Sequence, residues 1–580
     1  MKQMQETLDR IPGHLRQYVV QQDYAAYDDM DQAVWRFTLL QTFNQLKKTA
    51  HPSYVKGLEK TGIYLDRIPR IEEMNKCLGD FGWGAVCVDG FIPPRAFQEF
   101  QSLRILTIAA DIRTAGHLAY TPAPDIIHES AGHAPIIPDP VYRGFLQRFG
   151  EVSKKAFSST EDMEVYEAIR HLSIVKENPN SGKTVIETAE KRLLQAIDNI
   201  TFTSESALLS RLHWWTVEYG LIGQPEDYKI YGAGILSSVG ESFMLHLPRV
   251  KKRKLRSRCV EMDYDITEPQ PQLYVVDEFD SLHRILDDVV EDFSFNVGGK
   301  LAIHRALRGG EVATVELNSG LQVIGIPEEV LGGESQVFLR FSGPCALAHH
   351  DRILADHGKD RHAKGFGMPI GPLENGLALS ELSEYGLDRL GYRGPGSYLS
   401  LNYRSGVKVT GNLVRMLTNE EGRLILFTFN QCKVIFEDRL LFSPEMGEFD
   451  LAIGEQVTSA YAGPADLSYW PQTEFSERRV PLPKLHQGDE RILLDFYIRL
   501  KEAKGQNADA VLNVVEEGYP LLRDRFQDHW LLAWNMLEAL TELDRGVQYA
   551  CRLKDLMRAA EAKRFHEVPV TMGLKYLNLM

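Results

Sequence analysis

The spacing of apolar residues changes twice along this chain, near residue 305 and again near residue 485, so no single regular architecture can accommodate it. Up to about 305, Trp35, Phe37, Leu39, Leu40 and Phe43 recur at helical spacing, as do Phe97, Phe100, Leu103 and Leu106. Between them Trp83 to Arg95 is punctuated by Gly and Pro and reads as a loop with a short strand. Residues 184–200 read as one charged amphipathic helix after a turn at Asn178 to Gly182.

From 306 to about 484 short alternating runs replace this pattern: Leu321 to Ile326, Gln336 to Phe341, Tyr398 to Tyr403, Val407 to Thr410, Arg423 to Phe429 and Lys433 to Phe436. Gly and Asn clusters separate them, as in a β meander or sandwich. The region repeats itself. SGLQVIG at Ser319 matches SGVKVTG at Ser405, FLRFSGPC at Phe338 matches LFTFNQC at Leu426, and HHDRIL at His349 matches FEDRLL at Phe436, with offsets of 86 to 88 residues. Two copies of a β unit that cover each other's apolar faces are expected. From 485 to 580 the pattern is helical again, with breaks at Gly505 and at Gly518-Tyr519-Pro520, and helical hairpins fit it. The expected fold is multidomain: a mainly α part over 1–305, a β-rich accessory domain over 306–484 and a helical region over 485–580.

At 580 residues the chain has room for about two to four domains. Its 44% hydrophobic and 25% charged residues are ordinary globular values. A net charge of −15 argues against broad nucleic-acid binding, which needs a basic face. The basic run Arg249 to Arg258 reads as a solvated face. Six cysteines without a C-x-x-C pair make neither a disulfide framework nor a thiolate zinc site. With no apolar run of membrane-spanning length and no leader-like amino terminus, the chain is expected to be cytoplasmic, with no membrane association.

Chemistry concentrates in Pro122 to His133, PAPDIIHESAGH, which holds His128, Glu129 and His133. A zinc-protease helix spaces its histidines four apart; here the spacing is five. On a regular helix five steps of about 100° leave two side chains about 140° apart. A helix end or a π-bulge brings them together instead. Further on, HWWTVEYG sets Glu218 in a stretch that looks buried. Two imidazoles and one carboxylate suit non-haem Fe(II) used to activate oxygen. By themselves two histidines at this spacing are more often surface or satisfied core residues than ligands.

Four strings in order, YTPAPDIIHESAGH at Tyr120, TVEYGL at Thr216, YGAGILSSVGE at Tyr231 and YDITEPQP at Tyr264, make residues from about 25 to 300 similar to the catalytic domain of the tetrahydropterin-dependent aromatic amino acid hydroxylases. The resemblance implies a catalytic domain of that type, Fe(II) held by His128, His133 and Glu218, and a tetrahydropterin with O2 as co-substrate. It implies that Arg113 holds the carboxylate of an amino-acid substrate, with Thr121, Ser237 and Ser238 completing that pocket. Trp214 and Ile266 are implied beside the substrate ring and point to phenylalanine. Gly90, Ile92, Phe97 and Glu129 are implied at the pterin, where Pro94 stands in place of a frequent serine. Asp125, and also Ser237, are candidates to fix the imidazoles from behind.

The 85 residues from His133 to Glu218 exceed the family's spacing, and an excursion over the surface is expected there. Rival readings are a tryptophan hydroxylase, a non-catalytic amino acid or pterin sensor and, more weakly, a zinc hydrolase. His349, His350, His357 and His362, with Asp351 and Asp356, form a second histidine cluster. It is read as structural, because the repeat equivalents of His349 and His350 are Phe436 and Glu437. The carboxy-terminal half is left with allosteric control, oligomer formation or partner docking as its expected roles.

Overall fold

The structure, a computed structural model, describes residues 2–90, 92–118, 124–177, 181–264, 269–332, 337–475, 479–480, 486–543 and 546–563. In the first part, helices surround strands β1 (Val19–Gln22), β2 (Gly84–Val88), β3 (Ile105–Ala109), β4 (Leu221–Gln224), β5 (Asp227–Ile230), β6 (Lys251–Lys254) and β7 (Gln272–Val276). β2 lies between β1, antiparallel, and β3, parallel. A second sheet has the order β5-β4-β7-β6, with the basic run contributing its exposed edge strand β6. Lysines on an edge strand discourage further pairing, in line with the solvated reading of that run.

The helix expected through Phe97 spans only Pro94–Ser102. Arg104 takes φ 59° and turns the chain into β3, which carries Leu106. Every residue of β3 is buried, and a short apolar run buried on both faces has no periodicity to separate it from a helix.

The helix Asp29–Thr49 begins at a capping box. Asp28 accepts from the amides of Met30 and Asp31, and the Asp31 carboxylate accepts from the Asp28 amide. Such a cap stabilises a helix by about 1 kcal/mol. Phe37, fully buried on this helix, packs against Trp530 and Trp534 at centroid distances of 4.9 and 5.0 Å. Both tryptophans belong to the helix Trp530–Leu543, so the carboxy-terminal helices share one apolar core with the first part of the chain. The turn expected at Gly518-Tyr519-Pro520 does not form; the helix Ala508–Asp524 runs through it. Gly518 serves close packing there, since a Cβ would stand 2.4 Å from Met536 Cε.

The β-rich part carries the duplication in its topology. Its first copy comprises β8 (Ala313–Leu317), β9 (Leu321–Leu331), β10 (Phe338–His349), β11 (Arg352–Ile353) and β12 (Gly365–Pro369). The second comprises β13 (Ser397–Asn402), β14 (Val407–Thr418), β15 (Leu424–Phe436), β16 (Arg439–Phe442) and β17 (Phe449–Ala452). In each, four consecutive strands form a meander and the fifth returns to pair with the third. The HHDRIL and FEDRLL strings each make a two-residue turn between paired strands, with positive φ at His350 and Asp351 in the first and at Glu437 in the second. Two runs expected as separate strands merge into β15, with Gln431 at φ 48° between them.

The copies do not simply cover one another. The first packs on the helix Gly299–Gly309 through Ala302, Ile303 and Ala306. The second packs under Leu373, Leu379, Leu382 and Leu387. Among the described residues Ile425, Leu426 and Ala452 enter the first core, and Val337 and Phe338 enter the second. Two further strands follow among the described residues. β18 (Val457–Ala462) pairs with β8, and β19 (Arg479–Val480) returns to β1. Among the described residues no helix is long and apolar enough to cross a membrane.

Candidate metal centre

His128 and His133 lie on a π-helical turn, Ile127–His133, and Glu218 ends another, Trp214–Glu218. A π turn closes an i→i+5 bond, so side chains five apart stack on one face. That is how a spacing unsuited to a regular helix brings both imidazoles together. Two glycines let the segments meet. A Cβ on Gly132 would stand 2.7 Å from the Ala233 carbonyl oxygen, and one on Gly232 would stand 2.4 Å from that of Glu218.

Three side chains converge. His128 Nε2 is 3.2 Å from His133 Nε2 and 3.4 Å from Glu218 Oε2, and His133 Nε2 is 3.3 Å from Glu218 Oε1. An octahedral ion holding N and O at about 2.1 Å separates its cis ligands by about 3.0 Å. The donor set therefore fits a divalent ion bound on one face. The tautomer agrees. Ser237 Oγ gives its one proton to the Ala233 carbonyl at 2.8 Å, so at 3.1 Å it accepts from His128 Nδ1. His128 Nε2 is left with its lone pair toward the other two donors. His133 Nδ1 is buried without a hydrogen-bond partner among the described residues.

Burial pushes the Glu218 carboxyl upward, but attraction to His133 and His128 outweighs it and holds the group well below the usual carboxylate range. Burial lowers His128 to about 4, so its imidazole is neutral as a ligand must be. Burial also raises Glu129 to about 8, against the opposing pull of His133, which makes it a carboxylic acid able to donate at neutral pH.

The trio opens on a cavity of about 300 Å³. Gly90, Ile92, Phe97 and Glu129 line it, as do Arg113, Trp214, Ser237 and Ser238. Thr121 and Ile266 lie outside the described residues. Gly90 adopts φ 62° in the turn after β2. Trp214 is stacked on Tyr264 at 4.4 Å and donates through Nε1 to Gln270 at 3.2 Å. Ser238 caps the helix Val239–Met244 by accepting from the Glu241 amide.

One expected role is corrected. Asp125 does not reach an imidazole ring. It accepts from Arg113 Nε at 2.8 Å, Arg113 Nη2 at 2.7 Å and the amides of Arg113 and His128. A carboxylate three residues before His128 is already claimed by the local backbone and by a buried guanidinium, so Ser237 is the partner of His128. Replacing Ser237 by alanine is expected to weaken Fe(II) binding by about 10–100-fold, the usual effect of losing such a partner. Chelator competition on the purified variant measures this, and wild-type affinity would remove Ser237 from the site.

A third imidazole escaped the sequence reading. His213 lies five residues before Glu218, the same spacing that joins His128 to His133. Its Nδ1 is 3.7 Å from Glu218 Oε1 and its ring packs edge-on to Phe97 at 6.1 Å. That repeated spacing was the signal available.

The helix Thr160–Glu177 contributes Ile169 to the cavity wall. With the helix Lys183–Asp198 it forms a hairpin with its own small core, which is the excursion between His133 and Glu218.

A sequence profile described as biopterin-dependent aromatic amino acid hydroxylase matches residues 17–177 and 194–298. The phenylalanine-4-hydroxylase of Mesorhizobium japonicum is 30% identical over 276 residues, which cover 46% of this chain and 81% of that protein. The enzyme of the same name from Chromobacterium violaceum is 27% identical over 281 residues, covering 48% of this chain and 78% of that one. A crystal structure of Chromobacterium violaceum phenylalanine hydroxylase aligns with 46% of this chain and 82% of its own, at 27% identity and a TM-score of 0.35.

Proposed function

The chain belongs to the biopterin-dependent aromatic amino acid hydroxylases, and on that premise we propose that it hydroxylates phenylalanine to tyrosine with Fe(II), a tetrahydropterin and O2. The observation that carries this reading is the convergence of His128, His133 and Glu218 at a cavity that Arg113 and Trp214 also line. What iron and the tetrahydropterin supply when bound is the activation of oxygen for transfer to the ring.

The residues of the chain divide the remaining work. His128, His133 and Glu218 hold the ion on one face and leave its other side to the cavity. Arg113, fixed by Asp125, turns its remaining N–H groups to the substrate carboxylate. Trp214, kept flat by Tyr264, gives the substrate ring an apolar wall. Phe97, Ile92 and the backbone at Gly90 support the pterin, and Glu129 contacts it directly or through water. The relatives named phenylalanine-4-hydroxylase favour phenylalanine over tryptophan.

The six unpaired cysteines are compatible with a reducing, cytoplasmic location. The β-rich part is accessory, since the trio and the described lining of its cavity come from the first part of the chain.

Tyrosine formation and oxygen uptake are expected only when phenylalanine, Fe(II) and tetrahydropterin are all supplied. Hydroxytryptophan as the main product would overturn the substrate. Iron-loaded protein that binds phenylalanine and pterin without turnover would make it a sensor.

A further inference from the structure

The second histidine cluster divides in the structure. His349 and His350 meet edge to face where β10 ends, with centroids 4.1 Å apart. His357 and His362 instead turn inward from the connection between β11 and β12 and meet Asp450 of β17. All three are buried, at 3%, 7% and 6% exposure. His357 Nδ1 lies 3.4 Å from His362 Nε2 and 3.8 Å from Asp450 Oδ2, and His362 Nε2 lies 3.9 Å from that same oxygen. We propose that these three side chains form a second metal site, for a zinc-class divalent ion, at the junction of the two β units.

The distances suit that ion. A tetrahedral zinc with ligands at about 2.0–2.1 Å keeps them about 3.4 Å apart, wider than the octahedral spacing that fits the first trio. The three atoms need to close in by only a few tenths of an ångström. Two nitrogens and a carboxylate oxygen are borderline ligands of the kind zinc takes, and three of them leave the fourth position to a solvent-derived anion.

The carboxylate is held from behind. Arg361 donates from Nε to Asp450 Oδ2 at 2.6 Å and from Nη2 to Oδ1 at 3.0 Å, and Thr428 donates to Oδ1 at 2.6 Å. One lone pair of Oδ2 is left toward the imidazoles. Outer partners of this kind fix ligating carboxylates. Glu448 accepts from Arg361 at 3.0 Å and from Arg415 at 3.3 Å, so the charged side chains around the site balance without the ion.

The site belongs to neither repeat alone. Asp450 pairs with Thr428 in the second copy, and the matching pair in the first is Gly367 with Arg340. The connection that carries both histidines is longer than its counterpart between β16 and β17. An ion there would tie the long connection of one copy to the last strand of the other, closing two separate cores against each other.

The test uses the full, iron-loaded chain dialysed against Zn(II) and then desalted. Wild-type protein is expected to retain one equivalent of zinc beyond any iron displaced, while His357→Gln and His362→Gln each lose that equivalent and keep their iron. Retention of no extra zinc by wild type, or its full retention by both variants, overturns the proposal. Should either variant fail to fold, melting of wild type decides: zinc raises the melting temperature of iron-loaded protein if the site exists, and an unchanged melt with no retained zinc refutes it.

Discussion

Glu218→Ala and His133→Ala are each expected to lose most bound iron and nearly all hydroxylation while the chain stays folded. Each removes one of three ligands, so the fall in affinity exceeds the roughly 10–100-fold that follows loss of an outer partner. Glu218→Ala takes away the carboxylate that meets two imidazole nitrogens 3.2 Å apart, and with it the trio's only negative charge. His133→Ala leaves a carboxylate with a single imidazole. Neither change opens the main apolar core, because both side chains face the cavity. Iron content after desalting, single-turnover tyrosine yield and thermal melting together check this. Full iron with normal turnover in either variant would falsify the assignment of the trio.

The trio was readable through the family resemblance that YTPAPDIIHESAGH and TVEYGL carry, and the spacing of its histidines agrees with it. Five-residue spacing excludes a regular helix, and a π turn is one of few ways to bring both imidazoles to one ion. The duplicated strings were readable because turn and strand residues recur at nearly constant offset. What the sequence hid depends on long-range packing. β3 is buried on both faces, so its apolar run lacks the alternation that marks a strand. Gly518 and Pro520 look like a break, yet tertiary contact with Met536 and Phe496 holds that helix through them. No pattern in the sequence says that Trp530 and Trp534 meet Phe37, some five hundred residues away along the chain. Asp125 was assigned to an imidazole by proximity in sequence, while its true partner, Arg113, lies twelve residues before it.

That buried pair carries the other large expectation. Arg113 and Asp125 side chains are 2% and 4% exposed, and the carboxylate lies below its ordinary range because the pull of Arg113 exceeds the upward push of burial. Asp125→Ala leaves a guanidinium buried without its anion, which costs about 3–5 kcal/mol in such pairs. It also frees Arg113 to swing away from the cavity, so the Michaelis constant for phenylalanine rises together with the loss of stability. Arg113→Lys separates the two effects. An ammonium keeps the charge opposite Asp125 but cannot present the planar fork, so binding of the substrate carboxylate weakens while iron content is unchanged. Melting, iron content and the Michaelis constant of both variants decide the matter. A constant equal to wild type in Arg113→Lys would put the substrate carboxylate on another residue, and an undiminished melting temperature in Asp125→Ala would mean that the guanidinium finds a second buried anion, which no described contact supplies.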